Sequence, residues 1–317
     1  MTYPKHPTDP GIEFVVCVPS RNEADRLPVL LGSLAQQDCG VPIHVQLCVN
    51  NSHDGSIDQI CIAARHYADR LVIHLDEIDF PPETANAGTA RRRAMGLGLH
   101  RLSCLETGVL LTTDADARLP ASWISANLEA IRRGADLVGG RILLDEREVV
   151  PQHVLRLRSM LDSYWKDVRE IEDSIDPQPH DLPPRHGDHT GASLAIKAAT
   201  YIAAGGVPPI ATGEDRALVS SALAIGARLV HPMDVWVEVS ARTVGRAIGG
   251  MADYLRALEA EASDGPYLPP LEAWRDLAEW RREVRQEQDG HRRVAVEEGL
   301  RAPMPQTLRL QDRYGAL

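Results

Sequence analysis

Gly108–Pro120 reads GVLLTTDADARLP, and this stretch decides the fold. It opens as an apolar run and leaves through two aspartates one residue apart, Asp114 and Asp116. A short continuous apolar run bounded by turn formers is a strand buried on both faces, as parallel sheets require. Working outward, the same grammar repeats. EFVVCVPS, IHVQLCVN and RLVIHLD read as strands; DRLPVLLGSLAQQ (Pro28 in its first turn), SIDQICIAARHYA, AGTARRRAMGLGLHRL and PASWISANLEAIRRG read as helices. ADLVGGRILL reads as one further strand. Alternation of this kind predicts an α/β fold with a mostly parallel central sheet and helices on both faces.

Beyond Leu144 the pattern changes. VVPQHVLRLRSMLDSYWKDVREIE is a long amphipathic helix, and DSIDPQPHDLPPRHGDH is a loop. TGASLAIKAATYIAAGG reads as strand then helix, GEDRALVSSALAIGA as a helix opened by two acids, and LVHPMDVWVEVS as short strands. From Thr243 the chain is helical and charged.

The chain has 317 residues, 44% of them hydrophobic, enough for one large domain with an appendage. A net charge of -11 argues against general nucleic-acid binding, which needs a basic footprint. No apolar run approaches the roughly 20 residues of a membrane span. The polar start MTYPKHPTDPG does not read as a secretory leader, and five scattered cysteines without a CxxC fit a reducing compartment, so a cytoplasmic location is expected.

In open parallel sheets ligands bind outside the carboxyl ends of the strands. Those exits carry PSRNE (Pro19–Glu23), NNSHDGS (Asn50–Ser56) and DAD (Asp114–Asp116), with GTARRR (Gly88–Arg93) opening the third helix. No G-x-G-x-x-G follows the first strand and no P-loop exists, which argues against dinucleotide enzymes and NTPases. Asp114 and Asp116 suit a hard divalent cation: Mg²⁺ takes one or two carboxylates and fills its other positions with water and substrate phosphates. On an extended segment residues i and i+2 point the same way, so both carboxylates are expected to face one ion. A plain turn with a helix N-cap is the competing reading.

VVCVPSRNE, VNNSHDGS, AGTARRR, LLTTDADA and GASLAIKAATYIAAGG…GEDRALVSSALAIGARLV occur in the order typical of family 2 glycosyltransferases with the GT-A fold. The chain resembles that family from about Phe14 to Arg242. The resemblance implies a nucleotide-sugar donor, UDP- or GDP-linked, Mg²⁺ or Mn²⁺ at the aspartates, and transfer to an acceptor hydroxyl. It implies that Pro19, Arg21 and Glu23 contact the nucleoside, that Arg91 lies near the donor with Asp114 and Ala115, and that Asp114 and Asp116 hold the metal. Asn50 and Asn51 stand where the family usually has two acids. An amide donates and accepts whereas a carboxylate only accepts, so uracil and guanine both stay open as the base. Arg92 stands where the family often has Asn, and three successive helical residues cannot share one face, so one of the three arginines is expected in the site. Glu214 and Asp215 match the acids beside the acceptor. Asp215 resembles a general base of inverting members, and Glu214 an acceptor-binding or orienting partner; favourable charge at a helix N-terminus is the competing reading.

His186, His189 and His231 read as loop or structural polar residues, with acceptor or metal contact as the alternative. Arg242 and Arg246 fall where relatives place a mobile, phosphate-facing segment, with a C-terminal helix cap as the competing reading. The stripe Leu271, Trp274, Leu277, Ala278 and Val284 has helical spacing and reads as core or as a subunit contact in a homodimer. The expected division is 1–245, a catalytic domain with a donor half (1–145) and an acceptor half (146–245), followed by a helical extension (246–317). The readings that compete with a transferase are a nucleotidyltransferase-like enzyme and a non-catalytic nucleotide-sugar-binding protein. The first usually carries a Gly-rich first loop, which PSRNE lacks.

Overall fold

The computed structural model describes residues 12–245, 249–261 and 265–315, so Arg246 lies outside the described residues. Strand β1 (Phe14–Ser20) is buried from Val15 onward. Successive side chains of a strand go to opposite faces: Val16 and Val18 enter one apolar cluster, Val15 and Cys17 another. Strand β4 (Val109–Thr112) divides likewise, Val109 and Leu111 to the first cluster and Leu110 to the second. Strands buried on both faces need cover on both. Helices α1 (Leu27–Ala35), α2 (Ser56–His66) and α4 (Trp123–Arg132) supply the first face. Helices α3 (Ala87–Leu99), α6 (Ala198–Ala203) and α7 (Glu214–Ala224) supply the second. Pro28 sits in the first turn of α1, where its missing N–H costs nothing. Asn86 caps α3 by accepting from the Thr89 N–H at 2.9 Å.

The main sheet has seven strands in the order β3-β2-β1-β4-β8-β6-β9. Strands β2 (Ile43–Asn50) and β3 (Leu71–Ile78) run parallel with β1 and β4. Strand β8 (Leu194–Lys197) is antiparallel to both β4 and β6 (Leu137–Gly139), and β9 (Leu229–Val230) is parallel to β6. The reversal has a consequence for the site. Thr112 pairs with Leu194, and Leu194 with Gly139, so β8 begins at the edge where β1, β2, β4 and β6 end.

Ala135–Leu144, expected as one strand, is two. Strand β6 stays in the main sheet, whereas β7 (Arg141–Leu144) pairs with β10 (Trp236–Val239), which also pairs with β5 (Ala117–Arg118). The break falls at Gly139 and Gly140. A Cβ there would lie 2.3 Å from the Asp188 carbonyl oxygen and 2.0 Å from Ser193 Oγ, so the backbone passes where no other residue fits. Ser193 Oγ itself accepts from the indole N–H of the fully buried Trp123 at 2.8 Å.

Helix α5 (Gln152–Ile175) buries Val154, Leu157, Leu161, Tyr164 and Val168 on one stripe. Helices α8 (Met251–Ala260), α9 (Leu271–Arg285) and α11 (Leu310–Tyr314) pack on it as a third apolar cluster. Leu277, Ala278 and Val284 of the α9 stripe are buried, Leu271 and Trp274 lean on the cluster, and the Trp274 N–H donates to Tyr164 Oη at 2.5 Å. The stripe is therefore internal packing. Helix α10 (Gly290–Glu297) lies against α7 and α9. Two short strands, β11 (Tyr267–Leu268) and β12 (Leu308–Arg309), pair antiparallel and were not expected from the sequence. Among the described residues, no helix is long and apolar enough to cross a membrane.

Candidate active site

Past β4 the chain turns at once: the Ala117 N–H donates to the Asp114 carbonyl at 3.2 Å. This corrects the expectation of an extended Asp114–Asp116 segment. The turn brings the carboxylates together, not the strand pleat, because β5 must start at Ala117 to pair with Val239 of β10. Ala115 between them is buried. The same pairing brings the exit of β10 beside the turn, so Arg242 meets Asp116 at 3.0 Å through Nη2. That guanidinium also grips Glu23, Nη1 to Oε2 at 2.6 Å and Nη2 to Oε1 at 2.5 Å. Burial, and then the charge of Asp114, push the Asp116 carboxyl up to about 7; Glu23 adds to the rise and Arg242 opposes it.

Arg91 is the buried hub. Its Nη2 donates to Asp114 Oδ1 at 2.7 Å, its Nη1 to Thr112 Oγ1 and to the Gly191 carbonyl, both at 2.9 Å, and its Nε to Glu214 Oε1 at 3.2 Å. Its neighbours leave in other directions. Arg92 donates to the Val207 carbonyl at 2.6 Å, and Arg93 forks onto Asp76. Of the triplet, Arg91 alone reaches the aspartates, as helical geometry demands.

The first two loops are laced together. Asn22, in the left-handed region at φ 52°, takes an N–H from His53 at 2.9 Å and donates its own backbone N–H to Ser52 Oγ. The Glu23 N–H donates to Ser56 Oγ at 3.0 Å. Pro19 is held inside β1 opposite Cys48, and Arg21 Nη1 donates to the Ala85 carbonyl at 3.1 Å. Asn51 also has positive φ, 46°, and binds both backbone groups of Phe80, accepting its N–H at 3.2 Å and donating to its carbonyl at 3.0 Å. A carboxylate could not make the second bond. Asn50 is buried and donates to Asn51 Oδ1 at 3.1 Å. The amide pair thus shapes the loop after β3.

Across the edge, Gly191 lies three residues before β8 and serves both sides. Its carbonyl accepts from Arg91, and its N–H donates to Asp215 Oδ2 at 2.7 Å. The second Asp215 oxygen accepts from the Arg216 N–H at 2.7 Å. A Cβ at Gly191 would fall 2.3 Å from Arg91 Nη2, which leaves no room for a side chain. Glu214 is buried and turned to Arg91 rather than to open space. His189, two residues before Gly191, joins His231, and His231 joins Asp181. Burial and the nearby His231 push His186 down to about 3 and His189 down to about 4; Asp215 and Asp188 pull His189 the other way.

Arg91 pairs with both Asp114 and Glu214, and Arg242 with both Asp116 and Glu23, so each turn aspartate shares its guanidinium with a second acid. Burial first, and repulsion from Asp114 second, raise Asp116, and a divalent cation would relieve that repulsion. The donor set fits a hard ion supplied with two protein carboxylates. Among the described residues no group of three or more His, Cys, Asp or Glu side chains could hold a metal by itself, so the remaining positions would fall to water and ligand oxygen.

Sequence reasoning missed Gly191 and Thr112 and did not count Arg242 among the site residues. Gly191 carried a signal, a glycine three residues before a buried strand, but its two partners come from residues 91 and 215 and are invisible to local pattern.

No protein-family model matches the chain, and no curated protein does. Among solved structures it is similar to Staphylococcus aureus TarS residues 1–349 in complex with UDP, at 15% identity and a TM-score of 0.49, over 86% of this chain and 71% of that one. It is similar to the mannosyltransferase PcManGT of Pyrobaculum calidifontis in complex with GDP-Man and Mn²⁺, at 17% identity and a TM-score of 0.49, over 93% and 84% of the two chains. It is also similar to glucosyl-3-phosphoglycerate synthase of Mycobacterium tuberculosis in complex with Mn²⁺, UDP and phosphoglyceric acid, at 12% identity and a TM-score of 0.47, over 81% and 82%. These likenesses are too distant to carry chemistry from those proteins to this chain.

Proposed function

We propose that this protein is a divalent-metal-dependent glycosyltransferase that moves a sugar from a UDP- or GDP-linked donor to an acceptor hydroxyl with inversion. The observation that carries the reading is the join at Arg91 and Gly191. Through it a turn carrying two aspartates and a carboxylate held by two backbone N–H groups share one sheet edge. The motif order noted in the sequence supports the same reading.

In this account Asp114 and Asp116 hold Mg²⁺ or Mn²⁺, which supplies Lewis-acid stabilisation of the departing diphosphate. Arg21, Glu23 and the Asn50–Asn51 pair border the nucleoside. Asp215 takes the proton from the acceptor hydroxyl as that oxygen attacks the sugar carbon, and the nucleoside diphosphate leaves with the bonding electrons. The N–H groups of Gly191 and Arg216 fix the carboxylate's direction, so its geometry need not be found anew at each turnover. Glu214 orients Arg91, and Arg91 orients Asp114. Residues 1–145 would serve the donor and 146–245 the acceptor, with helices α8, α9 and α11 of the 246–317 extension bracing the acceptor half through α5.

The test is release of nucleoside diphosphate from UDP-glucose and from GDP-mannose in Mn²⁺, with water or an added alcohol as acceptor. Release that Asp114→Asn and Asp215→Asn each abolish supports the reading. Release that survives both substitutions, or no release from either donor, contradicts it.

A further inference from the structure

Asp181, His231 and His189 have no part in the transfer steps above, yet they form a line. Asp181 accepts twice from His231, Oδ1 from the backbone N–H and Oδ2 from ring Nδ1, both at 2.7 Å. His231 Nε2 lies 3.2 Å from His189 Nδ1. Asp181 and His231 are both buried. Behind Asp181 stands Arg185, 3.9 Å away and also paired with Asp173 and Glu172; Glu172 in turn binds Arg281 of α9 at 2.6 Å.

Hydrogen-bond logic assigns the protons. An ionised carboxylate only accepts, so a neutral His231 donates from Nδ1 and leaves its lone pair on Nε2. His189 then donates from Nδ1, which leaves its own lone pair on Nε2. The bonds to His231 hold Asp181 below the usual carboxylate range against its burial, so the carboxylate is the state present near neutrality. The charged or polar groups that face His189 are His231, the residue after β9, Asp215 from α7, and Asp188 and the Gly187 carbonyl from its own loop.

We propose that Asp181, acting through His231, fixes His189 as a neutral ring with its lone pair on Nε2, and that His189 so held is a second hydrogen-bond acceptor beside Asp215 for the incoming hydroxyl. Asp181 and His231 are positioning residues. The role toward the hydroxyl rests on the transferase reading; the fixed tautomer does not.

Two-bond ¹H–¹⁵N spectra of protein with ¹⁵N-labelled histidine report which ring nitrogen carries each proton. The expected spectrum has His231 and His189 both protonated on Nδ1, with His189 neutral until the pH falls to about 4. Asp181→Asn lets residue 181 donate, so both rings shift their proton to Nε2. Asp215→Asn removes a nearby negative charge and lowers the His189 midpoint. His189 protonated on Nε2 in the unmodified protein overturns the proposal without need of any variant. An unchanged tautomer in folded Asp181→Asn, or an unmoved midpoint in Asp215→Asn, does the same. In the nucleotide-release assay, His189→Gln slows turnover roughly tenfold at unchanged donor affinity; equal rates overturn the contact with the hydroxyl. The spectra need no donor, so they fail separately from the transferase reading, which donor binding decides.

Discussion

The two acidic ends of the site are neutralised by different means. At the turn after β4, Asp114 and Asp116 face guanidinium groups carried on long side chains from α3 and from the exit of β10. At the opposite corner, Asp215 faces the backbone N–H groups of Gly191 and Arg216. A side-chain cation can be displaced by a stronger one, whereas a backbone N–H cannot leave. The first arrangement suits a place where cations and phosphates exchange. The second suits a group whose direction must not change. Gly191 lies between them and touches both.

The most severe way to break the comparison is to remove the buried cation. Arg91→Met leaves Asp114 and Glu214 without their shared partner and strips a donor from Thr112 and Gly191. We expect a loss of about 3–5 kcal/mol in urea unfolding, and a loss under about 1 kcal/mol would mean that the two ends are not joined through Arg91. Next comes a separation of the ends by function. Asp215→Asn should slow transfer by about 10²–10⁴-fold with donor affinity kept, and Asp114→Asn should weaken donor binding first. The two variants losing the same property would erase the distinction. Gly191→Ala strikes the join itself: its Cβ would fall on Arg91 Nη2. An overpacking cost of about 1–3 kcal/mol, with donor binding and transfer falling together, is expected in calorimetry and turnover.

The smallest effect is on pH stability, where the corners oppose each other: Asp116, raised to about 7 by burial and by Asp114, gains stability as pH falls below 7, whereas the histidines of the second corner lose it. His186 and His189 sit at about 3 and about 4 against an ordinary value of 6.5. Between those values the unfolded chain binds more protons at these rings than the folded one, so their contribution to stability is full above 6.5 and falls as pH drops toward 4. Thermal unfolding at pH 7 and pH 5 should show the balance, and His189→Gln should shift it toward greater stability at pH 5. A slope unchanged by that substitution would deny the buried neutral ring.

The first half of the fold was legible because each of its elements carries its own signal. β1, β2 and β4 are apolar runs that end in polar loops, and α1 shows its start in Pro28. What stayed hidden was set by distant pairing. The chain leaves the main sheet at Gly140 because β10 recruits β7, and Asp114–Asp116 turns instead of extending because β10 recruits Ala117. The candidate site residues could be listed from the sequence, but their bonds could not. Nothing local says that Arg91 meets Glu214, or that Asn51 spends its amide on Phe80. The α9 stripe illustrates the same limit: helical spacing identifies an apolar face but not whether α5 or another copy covers it.

The claim that this sheet edge is a metal-assisted nucleotide-sugar site is tested most directly by titration calorimetry of UDP and GDP into the protein with and without Mn²⁺. The account predicts that one of the two binds at least about tenfold more tightly with Mn²⁺, and that Asp116→Asn abolishes this gain while Asp215→Asn leaves it intact. Binding of neither nucleotide, or binding indifferent to Mn²⁺ and to Asp116, would contradict it.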